Sequence, residues 1–285
     1  MFPNSKTNFM KQSLHFLLGI VVLTSCTKNA DHSHDRSSAS TTRIISITGD
    51  SADFLFAYEN DTITDVLARH NDGWQWIDTN YSPYARIMYE GNNYIRATSP
   101  VDSFYYTEYF LNDDHLPLQI IMHFDKWESK DIVDFFYNSS TNLLDSVHDT
   151  NDGIHFTRAY MEYDGDDITR IKTTFPYFDT GLIEHNSEYE YDKTTPNVFK
   201  TTGSLFYIYQ IPFGTYNFIN SWVVYHDELI VKMFSHSTFN NMRGSYSNAN
   251  YDWQDAMHYT LNSDGKLETV SYEMEPNHIL HYNYK

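Results

Sequence analysis

Residues 160–168 read YMEYDGDDI, and this stretch decides the fold. Apolar and polar side chains alternate up to Tyr163, a polar turn follows, and a new apolar run begins at Ile168. Alternation places every second side chain on the same face of a β-strand. Asp and Gly suit the tight turn between two strands, and Gly supplies the positive φ that many such turns need. The stretch therefore predicts a β-hairpin.

The same pattern recurs along the chain. Its tyrosines at positions 58, 89, 109, 137, 163 and 191 lie 20 to 31 residues apart. The other copies are FAYENDTI (56–63), IMYEGNNYI (87–95), YTEYFLNDDHL (106–116), FFYNSSTNL (135–143), MHYTLNSDGKL (257–267) and the partial copy YEYD (189–192). Repeated hairpins predict an all-β fold, an antiparallel meander that forms a large curved sheet, a sandwich or a partly closed barrel. We expect one β-rich domain over residues 44–285.

Two segments depart from the pattern. Residues 201–226 contain no Asp, Glu, Lys or Arg, yet Pro212 and Gly214 argue against a membrane helix. We expect this segment to be buried core, as short strands or a short helix. Residues 235–256 are rich in Ser, Asn, Tyr and Gly, and this composition predicts a long loop.

The N-terminus has the features of an export signal. Lys6 and Lys11 precede an apolar stretch at 14–23, and residues 23–26 read LTSC. This ending resembles the bacterial lipobox, in which the cysteine receives lipid. Cys26 is the only cysteine of the chain, so it cannot form an internal disulfide, and lipidation explains it. We expect a signal peptide at 1–25, a lipid anchor on Cys26 and a flexible polar tether over 26–43.

Composition limits the partners. After residue 25 the chain keeps 17 of its 19 Lys and Arg against 38 Asp and Glu, a formal charge of −21. Such a chain is repelled by nucleic acid and by anionic lipid surfaces. Hydrophobic residues at 41% and aromatic residues at 17% also exclude a disordered chain.

Known catalytic motifs are missing from the sequence. It contains no Gly-x-Ser-x-Gly elbow, phosphate-binding loop, dinucleotide fingerprint or His-Glu-x-x-His pair. We predict no catalytic residue and no cofactor. The DHSHD run at 31–35 could hold a metal ion loosely, but a solvated linker explains it more simply, so no metal site is predicted.

Aromatic side chains are the best candidates for ligand contacts. Tyr246, Tyr251 and Trp253 lie in the predicted loop at 235–256. Exposed rings there could stack on sugar faces or anchor a peptide. The alternative is that they fold back onto the core as a lid.

The hairpin copies resemble the tyrosine-aspartate repeats of bacterial cell-surface proteins. EYDKTTPNVF at 190–199 is similar to a Tyr-Asp…Pro-Asn-Pro-Phe segment, with Val198 where the second proline would stand. STFNNM at 237–242 resembles the Ser-x-Asn-Asn segment that follows it. Together they resemble a group of uncharacterised lipoproteins of Bacteroidota-type bacteria. The resemblance implies a β fold and an envelope location, and it implies no activity.

These observations favour an exported lipoprotein, anchored in the outer membrane through Cys26, that binds a glycan or an envelope protein without catalysis. One alternative is a hydrolase that acts on glycans through paired carboxylates, whose separation depends on the fold. Another is a lipocalin-like carrier, if the meander closes around an apolar cavity. A barrel that spans the outer membrane is disfavoured, because its outward face must be apolar and these strands carry acidic residues.

Overall fold

Strands make up nearly all of the secondary structure in the described residues. The computed structural model describes residues 44–285 apart from 50–51, 60–61, 71–79, 92, 99, 101–104, 115, 125–128, 152–154, 177–180, 202–226 and 248. The predicted signal peptide, Cys26, the tether and nearly all of the charge-free segment 201–226 lie outside the described residues.

Sixteen antiparallel strands follow one another around a single sheet. They are β1 Ile44–Thr48, β2 Ala52–Glu59, β3 Thr62–His70, β4 Ser82–Tyr89, β5 Tyr94–Thr98, β6 Tyr105–Leu111, β7 Pro117–Phe124, β8 Ser129–Tyr137, β9 Leu144–Asn151, β10 His155–Asp164, β11 Asp167–Pro176, β12 Leu182–Pro196, β13 Ser237–Tyr246, β14 Ala249–Leu261, β15 Leu267–Tyr272 and β16 Glu275–Tyr284.

The sheet closes on itself. Each strand pairs with its sequence neighbours, and β1 pairs with β16, so that Ile44 lies opposite Tyr284. The result is a closed meander barrel, which confirms the predicted all-β hairpin fold. Closure leaves no sheet edge exposed to other chains.

The predicted turns lie where the repeats place them. Every complete copy of the repeat spans the turn between an even-numbered strand and the odd-numbered strand after it. Asn142, Gly91, Gly165 and Gly265 adopt positive φ in four of these turns. The prediction of a loop over 235–256 is wrong, because most of this segment forms β13 and β14. The prediction relied on composition, but Asn and Ser in this segment occupy strand positions whose backbones are paired.

The inside of the barrel is apolar. On each of β1–β15 at least one hydrophobic side chain is buried, among them Ile47, Val133 and Val147 with no exposed surface. Among the described residues no second layer lies outside the closed sheet to cover so many side chains, so these side chains point inward. Polar side chains at the intervening positions therefore face outward.

Tyrosine hydroxyls join the strands at one end of the barrel, where the chain enters β1 and leaves β16. Five hydroxyls donate to the first or second backbone carbonyl of the preceding strand, at 2.5–2.7 Å. We call them the latch tyrosines, and their bonds are Tyr58 to Ile44, Tyr137 to Pro117, Tyr163 to Leu144, Tyr191 to Ile168 and Tyr284 to Leu267. Each pair of strands is connected by the chain at the opposite end, so the latch fixes its free end. This hydrogen bond explains why a tyrosine recurs at the same position of the repeat.

The connection from β12 to β13 differs from the hairpins, and its described part contains two helices, α1 Val198–Thr201 and α2 Asp227–Phe234. Ile230 and Val231 of α2 have no exposed surface, and the Phe234 ring lies 6.4 Å from the ring of inward-facing Phe135. Helix α2 therefore packs into the barrel interior.

The two segments that carry the family resemblance hold this connection in place. Buried Asn197 donates to the carbonyls of Lys232 and Ser235, at 2.9 and 2.8 Å. The hydroxyl of Thr238 accepts from the Val198 amide and donates to the Pro196 carbonyl. The chain therefore leaves β12 and returns to β13 at the same place, at the tyrosine end of the barrel.

Candidate functional site

The outer face of the barrel has a charged side and an aromatic side. On β10–β13 it carries a charged ladder, which we define as Glu162, Arg170, Glu188 and Arg243. These side chains lie opposite one another in register on successive strands. Arg170 lies 3.8 Å from Glu162 and 4.0 Å from Glu188, and Arg243 Nε donates to Glu188 at 2.6 Å. This side of the barrel is polar and internally paired.

On β5–β10 the outer face is rich in aromatic rings. We call this surface the aromatic strip and define it by its outward rings: Tyr94, Tyr106, Phe110, His123, Phe136, His148 and Tyr160. Their neighbours in sequence, such as Ile95, Tyr109 and Val147, are buried inside. Alternation along each strand therefore directs the strip outward.

The first half of the strip is a stack across β5, β6 and β7. The Arg96 guanidinium lies 4.2 Å from the centre of the Tyr106 ring, within the range of a cation–π contact. The Tyr106 and His123 rings stack at 4.1 Å with planes 10° apart. Tyr94 meets the edge of Phe110 at 5.3 Å. The packing gives these planar groups fixed orientations.

Glu108 lies at the centre of this half. Its carboxylate accepts from the Tyr94 hydroxyl at 2.6 Å and lies 2.7 Å from His123 Nε2. Burial raises the pKa of Glu108, but the hydrogen bonds from Tyr94 and His123 outweigh burial and leave the pKa below its ordinary value. Burial and the bond to Glu108 raise the pKa of Tyr94 to about 12. At neutral pH the carboxylate is therefore ionised and the phenol keeps its proton.

The second half lies across β8, β9 and β10. His148 lies between two rings, 4.6 Å from Phe136 and 6.2 Å from Tyr160. Phe136 is 46% exposed and Tyr160 is 42% exposed, which is unusual for large apolar side chains. Burial and the charge of Arg158 lower the pKa of His148. This imidazole is therefore neutral at pH 7, and within the described chain its Nε2 has no hydrogen-bond partner.

Aliphatic side chains join the two halves. Ile121 of β7 and Ile132 of β8 lie opposite each other in register, between the two sets of rings. Polar groups border them, since Gln119 donates to Asp134 at 2.7 Å on the same strands. The strip is thus a continuous surface of flat apolar groups with polar groups interleaved.

The residues predicted from sequence lie elsewhere. Tyr246 ends β13 and stacks on His185 at 4.5 Å, and Trp253 of β14 packs half-buried against the core. The ring of Trp253 covers Gly244, where an added Cβ would lie 2.2 Å from Nε1. Tyr251 lies in β14, and its side chain is outside the described part of the structure. These residues are on strands and not on a loop, and their contact with a ligand stays a prediction.

The aromatic strip was missed because alternation shows which residues share a face but not which face is inside. Phe135-Phe136 places an aromatic ring on both faces of its strand. The exposed pair on β8 and β10, Phe136 and Tyr160, could have been found only from the register of β8, β9 and β10.

Two further features bear on function. Among the described residues, no three His, Asp or Glu side chains come close enough together to hold a metal ion. Neither described helix combines the length and the apolarity that a membrane-crossing helix requires.

Comparison with known proteins supports the fold. No protein-family model matches the chain, and a search of curated proteins found no match. Among solved structures, the chain is similar to a porin-like protein from Bacteroides vulgatus, with a TM-score of 0.53 and 11% identity. The similarity covers 86% of this chain and 99% of the other. At this identity the likeness establishes the barrel fold alone.

Proposed function

We propose that the chain is an exported, lipid-anchored protein of the bacterial envelope whose barrel stands in water and binds a neutral glycan through the aromatic strip. The observation that carries this proposal is the strip itself, a run of outward rings on neighbouring strands in which Phe136 is 46% and Tyr160 42% exposed. Large exposed apolar surfaces on water-soluble proteins commonly mark binding sites.

The distribution of polarity supports a barrel in water. A barrel that spans the outer membrane has a lipid-facing apolar band and a polar interior. This barrel has the reverse arrangement, with a charged ladder outside and an apolar, buried lining inside. Arginine side chains placed in lipid would cost about 2–4 kcal/mol each near the middle of the bilayer, and glutamate side chains would add a smaller cost. For this reason we do not propose a pore, although the structural neighbour is described as porin-like.

The signals at the N-terminus supply the membrane attachment. The multiple acyl chains of a bacterial lipoprotein on Cys26 would anchor the protein without a spanning segment, since each buried CH₂ contributes about 0.8 kcal/mol. The 18 residues from 26 to 43 form a polar tether that would extend on the order of 25 Å. Such a tether leaves the strip free to face away from the membrane.

The chemistry of the strip suits a glycan. The C–H faces of a sugar ring pack on flat aromatic rings, and its hydroxyls need donors and acceptors close by. Here Arg96, Gln119 and Asp134 supply them between the rings. The formal charge of −21 after residue 25 disfavours an acidic polysaccharide, so a neutral one is expected.

Affinity electrophoresis in native gels that contain a neutral polysaccharide tests this function. We expect one or more bacterial or plant polysaccharides to retard the chain, and the double variant Phe136→Ser/Tyr160→Ser to weaken binding at least about tenfold, or 1.4 kcal/mol.

A matched control removes exposed apolar side chains outside the strip. Leu182 is 73% exposed and Leu261 is 39% exposed, and Leu182→Ser/Leu261→Ser should bind as the original chain does. Equal loss in both double variants, or a chain that no polysaccharide retards, would overturn the proposal. If the strip binds a protein and no glycan, the proposed ligand is wrong and the partner is a protein.

A further inference from the structure

A polar row crosses the apolar lining of the barrel interior. Asp149 of β9 lies directly opposite Thr157 of β10, and Thr173 of β11 lies directly opposite His185 of β12. Thr157 and Thr173 are diagonal neighbours, because Ala159 is the residue opposite Thr173. Directly opposed residues in a sheet have Cβ atoms about 4.5–5.5 Å apart. Four adjacent strands therefore place polar side chains side by side; we call this set the inner polar row.

The row is buried. Exposure is 2% for Asp149, 2% for Thr157, 1% for Thr173 and 3% for His185. Within the described chain, neither Nδ1 nor Nε2 of His185 has a hydrogen-bond partner, and Oγ1 of Thr173 has none. Each buried polar group left without a partner costs about 1–3 kcal/mol. The two ring nitrogens of His185 and the hydroxyl oxygen of Thr173 belong to directly opposed residues, so they form one polar patch without hydrogen bonds from the described chain.

Helix α2 brings a carboxylate to the same place. Asp227, at the start of α2, accepts a hydrogen bond from Ser187, the inward residue next to His185 on β12. Its other oxygen accepts from the Glu228 amide at 2.8 Å. Because Ser187 and His185 both point inward from β12, Asp227 and His185 lie on one interior surface. The ring of Tyr246 stacks on the other side of this group, at 4.5 Å from His185.

The balance of charge around the row is acidic. Asp149 and Asp227 face it, and burial lowers the pKa of His185, which leaves the imidazole neutral with one nitrogen free to accept a hydrogen bond. Lys232, the basic side chain of α2, is paired with Glu228 and with the Tyr272 hydroxyl. The unsatisfied atoms of His185 and Thr173 therefore offer hydrogen-bond acceptors beside the carboxyl group of Asp227, whose pKa is raised by burial.

We propose that the inner polar row is a binding site for a small organic cation that carries a primary ammonium group. An ammonium has three N–H donors. The His185 nitrogen and the Thr173 hydroxyl are acceptors that these donors meet, and the neighbouring Asp227 carboxylate and the Tyr246 ring add electrostatic attraction. This site lies inside the barrel and is independent of the glycan surface on the outer face.

Thermal unfolding of the full-length chain with Cys26→Ala, at pH 7.5, tests the site with matched probes. We expect saturating ethanolamine or putrescine to raise Tm by about 3 °C or more. Ethylene glycol, which has the size of ethanolamine but no charge, should leave Tm unchanged. Tetramethylammonium, which has the charge but no N–H donor, should also leave it unchanged.

Two threonine variants separate the site from a simple packing defect. Thr173→Val removes the inward hydroxyl, and Thr174→Val makes the same change at the next, outward position of β11. Thr173→Val should weaken ethanolamine binding at least tenfold, whereas Thr174→Val should bind as before. Failure of both ammonium probes to shift Tm would overturn the proposal, and a gain in stability for Thr173→Val would then identify the row as an unsatisfied defect. An equal shift with ethylene glycol would overturn the cationic class.

Discussion

The latch tyrosines yield the sharpest prediction about stability. Tyr163→Phe removes only a hydroxyl, one that donates to the Leu144 carbonyl at 2.7 Å. Leu144 is 1% exposed, so water is poorly placed to replace the lost donor. A hydrogen bond of this kind contributes about 0.5–1.5 kcal/mol, and a carbonyl left without a partner raises the cost. We therefore expect a loss of about 1–2 kcal/mol in the free energy of unfolding.

Tyr89 provides the matched control. It occupies the corresponding position in another copy of the repeat, near the end of β4, but within the described chain its buried hydroxyl has no partner. Tyr89→Phe removes a polar group that gains nothing in the folded state, so stability should be unchanged or higher.

Urea unfolding followed by tryptophan fluorescence and circular dichroism measures both variants. The difference in their free energies of unfolding should be at least about 1 kcal/mol, with Tyr163→Phe the less stable. Equal stability of the two variants, or a larger loss for Tyr89→Phe, would refute the view that the repeated tyrosine acts as a hydrogen-bonded latch.

Three further predictions concern packing, buried charge and pH. Gly244→Ala should destabilise the barrel by about 1–3 kcal/mol in urea unfolding, because the new Cβ would overlap the Trp253 ring, and Trp253→Leu in the same chain should reduce this penalty. Lys232→Met should cost about 3–5 kcal/mol, since it leaves Glu228 charged and unpaired in the interior, and Lys232→Met/Glu228→Gln should recover part of the loss in the same assay. The free energy of unfolding should be highest below pH 10 and should fall as the pH rises above it, because burial raises the pKa of many tyrosines above their value in the unfolded chain. Urea midpoints from pH 8 to 11, with phenolate absorbance at 295 nm, measure this dependence. A urea midpoint that does not change over this range would contradict it. Tyrosines with a raised pKa include Tyr84, Tyr137, Tyr163, Tyr191, Tyr282 and Tyr284.

The hairpins were predictable because their determinants are local. Alternation up to Tyr163, an Asp-Gly turn and a new apolar run at Ile168 lie within nine residues. Closure of the barrel was not predictable in this way. It depends on pairing between Ile44 and Tyr284, which no local pattern specifies.

The β13–β14 hairpin shows why composition alone fails. Gly244 and the Asn-rich positions near it indicate a loop when strand neighbours are unknown. In the barrel, Gly244 is needed because Trp253 of the next strand lies directly over it. Such a contact becomes visible only once Gly244 and Trp253 are known to be opposite each other.

The candidate sites depend on register in the same way. His185 and Thr173 are 12 residues apart in sequence, and their side-by-side placement inside the barrel follows from the pairing of β11 with β12. The outward stack of Tyr106 on His123 likewise follows from the pairing of β6 with β7. Sequence indicates that aromatic residues are abundant, whereas the sheet determines which of them meet.

The most direct test of the account is the behaviour of the chain with Cys26→Ala and without its signal peptide in buffer that contains no detergent. The charged outer face predicts a water-soluble protein with a β-sheet circular dichroism spectrum and a cooperative unfolding transition. A chain that aggregates in buffer, folds only in detergent or lipid and conducts ions across a bilayer would contradict the account, because it would place the outer face of the barrel in the membrane.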